Sequence, residues 1–146
     1  MKSTISLLSF LLVIAYVYGA AAPATAVKDK VLAASKKCAA DAKVNQEQAK
    51  IAFSQKIPSE ESEKCYLECV YKAFDVIQND SFSVEGSKKL ATVRFTDPKE
   101  HEIVNKLIDT CGKEVTKAKD EKCSLGRTVR ECFVKYGKEV NFFPSA

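Results

Sequence analysis

From residue 27 onward the apolar residues recur mostly at helical rather than alternating spacing, so the pattern predicts helices almost throughout. Val27, Val31, Ala34, Ser35, Cys38 and Ala42 share one stripe of a first helix over 27–43. Asn45 caps a short helix over 46–54 that buries Phe53 together with Ile51 or Ala49, and Pro58 stops it. Ser59 caps a stronger helix over 60–78, with Glu60 and Glu61 in its first turn opposing the macrodipole. One side of it carries Cys65, Cys69 and Val76; an adjoining side carries Tyr66, Val70, Ala73, Phe74 and Ile77, so the buried arc is wide. Asn79-Asp80-Ser81 breaks the pattern and is also a formal glycosylation sequon. Ser83 caps 84–94, with Leu90 and Val93 inward. Asp97-Pro98 starts a helix over 98–117 that buries Ile103 or Val104, Leu107, Ile108, Cys111 and Val115. Asp120 caps 121–136, whose stripe is Leu125, Val129, Cys132, Phe133 and Tyr136, and Gly137 ends it. The expected fold class is all-α: one compact domain of six helices.

The segment before this pattern differs. Lys2 precedes an apolar run from Ile5 to Tyr18, and small residues follow from Gly19 to Ala22. A charge, an apolar stretch and a small-residue exit read as a signal peptide over 1–20, with the cleavage point as late as Ala26. The expectation is a secreted, extracellular, soluble domain over 27–146. That part carries 22 basic and 19 acidic residues, scattered as on an ordinary solvated surface. No basic block or aromatic-basic interleaving suggests a nucleic-acid partner.

Six cysteines in an exported chain of this size read as a disulfide framework. Helix geometry excludes two bonds, and with them five of the fifteen complete schemes. Cys65 and Cys69 are four apart on one helix, with Cβ atoms ~5–6 Å apart where a disulfide wants ~3.5–4.5 Å. Cys123 and Cys132 are roughly 13 Å apart along another. Ten of the fifteen possible pairings remain. In each, the central helix is tied at two points, one turn apart, to two other segments. Bridges closing loops of tens of residues are worth ~3–4 kcal/mol each in the chain-entropy model, enough to tolerate an incompletely filled interior.

Catalytic and metal chemistry have little to stand on. The single histidine, His101, sits between Glu100 and Glu102 without a nucleophile setting and reads as an exposed surface residue. Bridged cysteines and one histidine do not make a zinc site. The expectation is a non-enzyme with no cofactor and no metal.

The spacing Cys38-x26-Cys65-x3-Cys69-x41-Cys111-x11-Cys123-x8-Cys132, behind a signal peptide, resembles the insect odorant-binding proteins, including their pheromone-binding branch. The segment Glu63-Lys64-Cys65-Tyr66-Leu67-Glu68-Cys69-Val70 is similar to the same family. The resemblance implies six helices around an apolar pocket and the pairing Cys38–Cys69, Cys65–Cys123 and Cys111–Cys132. It implies a carrier, monomeric or weakly dimeric, that takes a small hydrophobic ligand through aqueous fluid to a membrane odorant receptor. The alternative is a salivary or reproductive effector that uses the scaffold to bind a protein partner or scavenge lipids. Helix stripes nominate Phe53, Val70, Phe74, Leu90, Val93, Ile103, Leu107, Ile108, Val129, Phe133 and Tyr136 as pocket walls. Phe142 and Phe143, adjacent in a terminal coil, are expected to fold back over the pocket mouth or line it. Tyr66, Tyr71 and Tyr136 are the candidate hydrogen-bonding groups for a polar ligand head. The tail past Cys132 is short and histidine is scarce, unlike the moth pheromone carriers whose C-terminal segment enters the pocket at low pH.

Overall fold

The computed structural model describes residues 29–143; the leader, its cleavage point and residues 27–28 lie outside them, as do 144–146. The chain divides after Leu32, and the unit carrying all six cysteines begins at Ala33. Six α-helices occur among the described residues. Helix α1 is helical over 29–42, α2 spans Gln46–Ala49 and runs into a 3-10 turn at Lys50–Phe53, and α3 spans Glu61–Ala73. A two-stranded ribbon follows, β1 at Ile77–Gln78 and β2 at Ser81–Phe82, then α4 at Val84–Arg94, α5 at Pro98–Glu114 and α6 at Ser124–Tyr136. A last 3-10 turn covers Gly137–Glu139.

Caps explain most boundaries. Asn45 and Gln48 form a reciprocal capping box on α2. Ser83 accepts from the Gly86 amide, and Asp97 accepts from the amides of Lys99 and Glu100 ahead of Pro98. Two expected starts move. The cap of α3 is Glu60 rather than Ser59, whose amide instead donates to Glu63 Oε2 at 3.1 Å. Helix α6 begins at Ser124 rather than after Asp120, because its N-cap Cys123 is held left-handed at φ 55° where the chain turns into the helix.

The largest departure is the end of α3, expected near 78 and observed at Ala73. Asp75 adopts φ 59°, its amide donates to Lys72 O, and the Val76 amide donates to Tyr71 O at 2.9 Å. Those two bonds are a Schellman stop built on aspartate. Asn79 and Asp80, at φ 50° and 59°, then form the two left-handed positions of a tight hairpin that pairs Ile77 with Phe82. Ile77 is still buried, but by the ribbon rather than by a helix face.

Helices α3 and α6 pack together most extensively. Gly126 makes this possible: a Cβ there would stand 2.0 Å from the Lys64 carbonyl oxygen. The bridges are Cys38–Cys69, Cys65–Cys123 and Cys111–Cys132. The first two tie α3, one turn apart, to α1 and to the start of α6; the third ties α5 to α6. Buried apolar side chains form two clusters. The larger joins α4, α5, α6 and the ribbon through Phe95, Val104, Leu107, Ile108, Val129 and Phe133. The smaller joins α1, the 3-10 turn and α3 through Ile51, Tyr66, Leu67 and Val70.

Candidate functional site

Phe133 of α6 is the hub of an aromatic group in the larger cluster. Tyr71 of α3 meets it edge-on at 6.0 Å and Phe82 of β2 at 5.9 Å. The tail supplies the next ring: Phe142 lies 4.7 Å from Phe133, stacks on Phe95 at 6.0 Å and meets Phe143 at 5.4 Å. The 3-10 turn at Gly137–Glu139 reverses the chain, and Val140 is buried in the same cluster. Gly137 does not terminate the chain's helical course with a left-handed residue; its φ is −85°. It provides room, since a Cβ at 137 would sit 3.0 Å from Phe142 Cβ. Arg94 Nη2 donates to the Asn141 carbonyl at 2.9 Å, which fixes the tail against α4.

Ten of the thirteen candidate pocket residues gather in or on this cluster. Leu107, Ile108, Val129 and Phe133 are buried in it; Phe74, Leu90, Ile103, Tyr136, Phe142 and Phe143 pack on its margin. Val70 belongs to the smaller cluster, with Phe74 touching both. Phe53 is half-buried outside either. Val93, expected inward, is 45% exposed: it shares a side of α4 with Gly86 and Leu90 but stands in the last turn of the helix, where that side is open to solvent. Phe142 packs among these residues, against Phe95 and Phe133. Two clefts among the described residues lie elsewhere. One of about 440 Å³ is lined by Lys37, Glu68, Lys72 and the Cys38–Cys69 and Cys65–Cys123 bridges. The other, about 230 Å³, lies between the end of α5 and α6. None of the thirteen lines either cleft.

Phe82, Phe95 and Arg130 join the site without having been nominated by the stripes. Phe82 and Phe95 fall on the ribbon and just past α4, where helical periodicity carries no information. Arg130 had a positional signal. It lies three residues before Phe133, inside the buried arc of α6, and it is 1% exposed. Its Nε donates to Tyr71 Oη at 2.9 Å; its Nη1 donates to the carbonyls of Ile51 at 2.8 Å, Lys56 at 3.3 Å and Ser54. The Phe143 ring covers the guanidinium at 4.9 Å.

The polar candidates separate. Burial pushes the Tyr71 phenol above its ordinary value, with the Arg130 guanidinium working against it. Tyr66 is fully buried in the smaller cluster, and Tyr136 turns outward to donate to Glu114 Oε1 at 2.5 Å. His101 is half-buried rather than exposed: Nε2 lies 3.2 Å from Thr92 Oγ1 and Nδ1 3.2 Å from Asn105 Nδ2, linking α4 to α5. Where α3 meets the start of α6, Glu121 sits 2.9 Å from Arg127 Nε and 2.6 Å from Lys64 Nζ. Arg127, then Lys64, holds the Glu121 carboxyl down at about 2. Among the described residues no three His, Cys, Asp or Glu side chains gather to hold a metal ion, and no helix is long and apolar enough to cross a membrane.

Six helices, three interlocked bridges and an aromatic cluster on which the Phe142 and Phe143 rings pack define a disulfide-stapled, all-helical scaffold. The PBP/GOBP family matches residues 20–136, and the chain belongs to that family. Its members are binding and carrier proteins for small ligands, not enzymes, and are typically secreted. Among solved structures the chain is similar to odorant-binding protein dmelOBP28a from Drosophila melanogaster. The TM-score is 0.66 at 20% identity, over 77% of this chain and 93% of that one, a likeness of fold. No curated protein matches the sequence.

Proposed function

We propose that this protein is a secreted carrier: residues 1–20 act as a signal peptide, and the domain over 27–146 takes up a small hydrophobic ligand and delivers it through aqueous fluid to a membrane receptor. Membership of a small-ligand carrier family supports the class. The observation that carries the mechanism is the seating of Phe142 and Phe143 in the aromatic cluster. These two rings belong to a terminal segment that follows the last α-helix, and they are only half-buried. They can move without a helix opening, at the cost of the Arg94–Asn141 bond and the Val140 contact. A ligand takes the place of Phe142 against Phe95 and Phe133, with Leu107 and Val129 as further wall.

A displacement titration with the fluorescent apolar probe N-phenylnaphthylamine tests this on the oxidised full-length protein and on Phe142→Ala. Fully burying a phenylalanine is worth ~1.5–3 kcal/mol, and Phe142 is half-buried, so a ligand that no longer has to expel it should bind roughly threefold to tenfold tighter. Equal affinity in the two proteins places the ligand somewhere else. The effector alternative has the scaffold bind a protein partner instead. Absence of saturable probe binding in both proteins decides for that alternative.

A further inference from the structure

We propose that Arg130 anchors the head group of an apolar ligand that carries a carboxylate, a fatty acid being the simplest such molecule. This deepens the carrier reading and rests on it. Three observations converge on one edge of the guanidinium. First, the charge is 1% exposed, and no Asp or Glu among the described residues lies within 4.0 Å of it. A buried cation is costly unless an anion balances it; every other arginine and several lysines of the compact unit either reach a carboxylate or face solvent, as Arg127 does with Glu121 and Glu131. Second, its donors are used unevenly. Nε and Nη1 serve Tyr71 and the segment 51–56, while Nη2 has no acceptor among the described residues. The remaining edge of a planar fork is the geometry that receives a carboxylate. Third, what covers the guanidinium is the ring of Phe143, part of the tail that the carrier reading displaces. Moving the tail therefore uncovers, in one step, an apolar slot where Phe142 was and, where Phe143 was, a cation that no carboxylate among the described residues balances. A long-chain alcohol or ester fits the slot but leaves the charge unmatched.

The test compares dodecanoic acid, dodecanol and methyl dodecanoate as displacers of N-phenylnaphthylamine from the oxidised full-length protein at neutral pH. A charge-assisted hydrogen bond from a desolvated arginine should favour the acid by roughly tenfold to a hundredfold over the alcohol and the ester. In Arg130→Gln the acid-to-alcohol ratio should fall to about one. An acid that binds the native protein no better than the alcohol overturns the proposal and leaves the carrier reading standing. Failure of all three to displace the probe, or of the probe to bind, removes the carrier reading and the anchor with it. Where Arg130→Gln does not fold, the native protein still decides. It has three arginines, Arg94, Arg127 and Arg130, so guanidinium resonances are readily assigned by NMR. Those of Arg130 should shift with dodecanoic acid and not with dodecanol; a shift confined to Arg94 or Arg127, or an equal response to both ligands, overturns the assignment.

Discussion

Replacing Gly126 by alanine sets two physical effects against each other, and the structure says which wins. Position 126 is in the first turn of α6, and alanine is a better helix former than glycine by ~1 kcal/mol. On propensity alone Gly126→Ala stabilises the protein. The added Cβ, however, would stand 2.0 Å from the Lys64 carbonyl oxygen and 2.9 Å from the Glu68 amide nitrogen, both backbone atoms of α3. Neither can rotate away. The two helices must part by roughly an ångström or more before the contact becomes ordinary, and overpacking of this kind costs ~1–3 kcal/mol before lost neighbours are counted. The neighbours are the most extensive helix pair in the molecule, with the Cys65–Cys123 bridge beside the contact to resist the separation. The expected net effect is a loss of about 2 kcal/mol, or roughly 8 °C in Tm for a domain of this size. Equilibrium urea unfolding of the oxidised protein measures it. A variant as stable as the native protein, or more stable, would refute the reasoning, since that is what propensity without the close approach predicts. The same parting moves Tyr71 away from Phe133 and Arg130, so ligand affinity should weaken in the variant even at temperatures where it is fully folded.

Stability should be flat above about pH 5 and decline as the pH falls from the ordinary carboxylate value of 4.5 toward about 2, because Glu121 is held down by Arg127 and Lys64. A folded-state value below the unfolded one stabilises above the unfolded value and is lost on acidification through the folded one. Glu61 shifts down beside Lys122. For Glu63 burial pushes upward, but Lys56 and the Ser59 and Glu60 amides outweigh it. Tm measured across this range in Glu121→Gln should show a shallower acid decline, and an unchanged profile counts against the assignment. Reduction should be more damaging than any single substitution. The bridges span 31, 58 and 21 residues, each worth ~3–4 kcal/mol in the chain-entropy model, with Cys65–Cys123 the largest. Circular dichroism before and after reductant checks this; retention of the native Tm would contradict it. Gly137→Ala should loosen the tail, since its Cβ would press at 3.0 Å on Phe142 Cβ, and should tighten probe binding about twofold to threefold. Unchanged binding would mean that Phe142 does not occupy the ligand's place.

The helices were legible because their signals are local. Asn45, Ser83 and Asp97 read as caps from the sequence and act as caps in the structure. The ribbon was not legible. Residues 74–78 continue a helical apolar pattern, and only the left-handed backbone of Asp75, Asn79 and Asp80, which aspartate and asparagine tolerate, overrides it. Cysteine geometry by itself left ten pairings open, since which helix lies beside which is a tertiary fact; the single pairing came from family resemblance. Stripe logic put Phe133, Leu107 and Val129 in the interior, where they lie, but misplaced Val93, because a residue's side of a helix does not say where along α4 the covering elements stop. It passed over Arg130 for the opposite reason: a charged residue on a buried arc is normally assigned to solvent.

On the proposed carrier reading, a tail seated against Phe95 and Phe133 changes what carriage means energetically. An open apolar cavity in water is expensive to maintain, on the order of 2.4 kcal/mol per ~100 Å³. Letting Phe142 and Phe143 occupy the space removes that cost from the empty protein and transfers it to the affinity, as the free energy of expelling the two rings. Binding is then an exchange of one apolar occupant for another, and what distinguishes ligands is the part that the tail cannot imitate. Phe142 imitates a hydrocarbon well. Phe143 covers the Arg130 guanidinium with a ring face, which compensates a cation far less completely than an anion does. Chains differing by one methylene should therefore differ only about fourfold, while an acid and its alcohol or ester of the same length should differ by about tenfold or more, so that among ligands of matched length the head identifies the cargo.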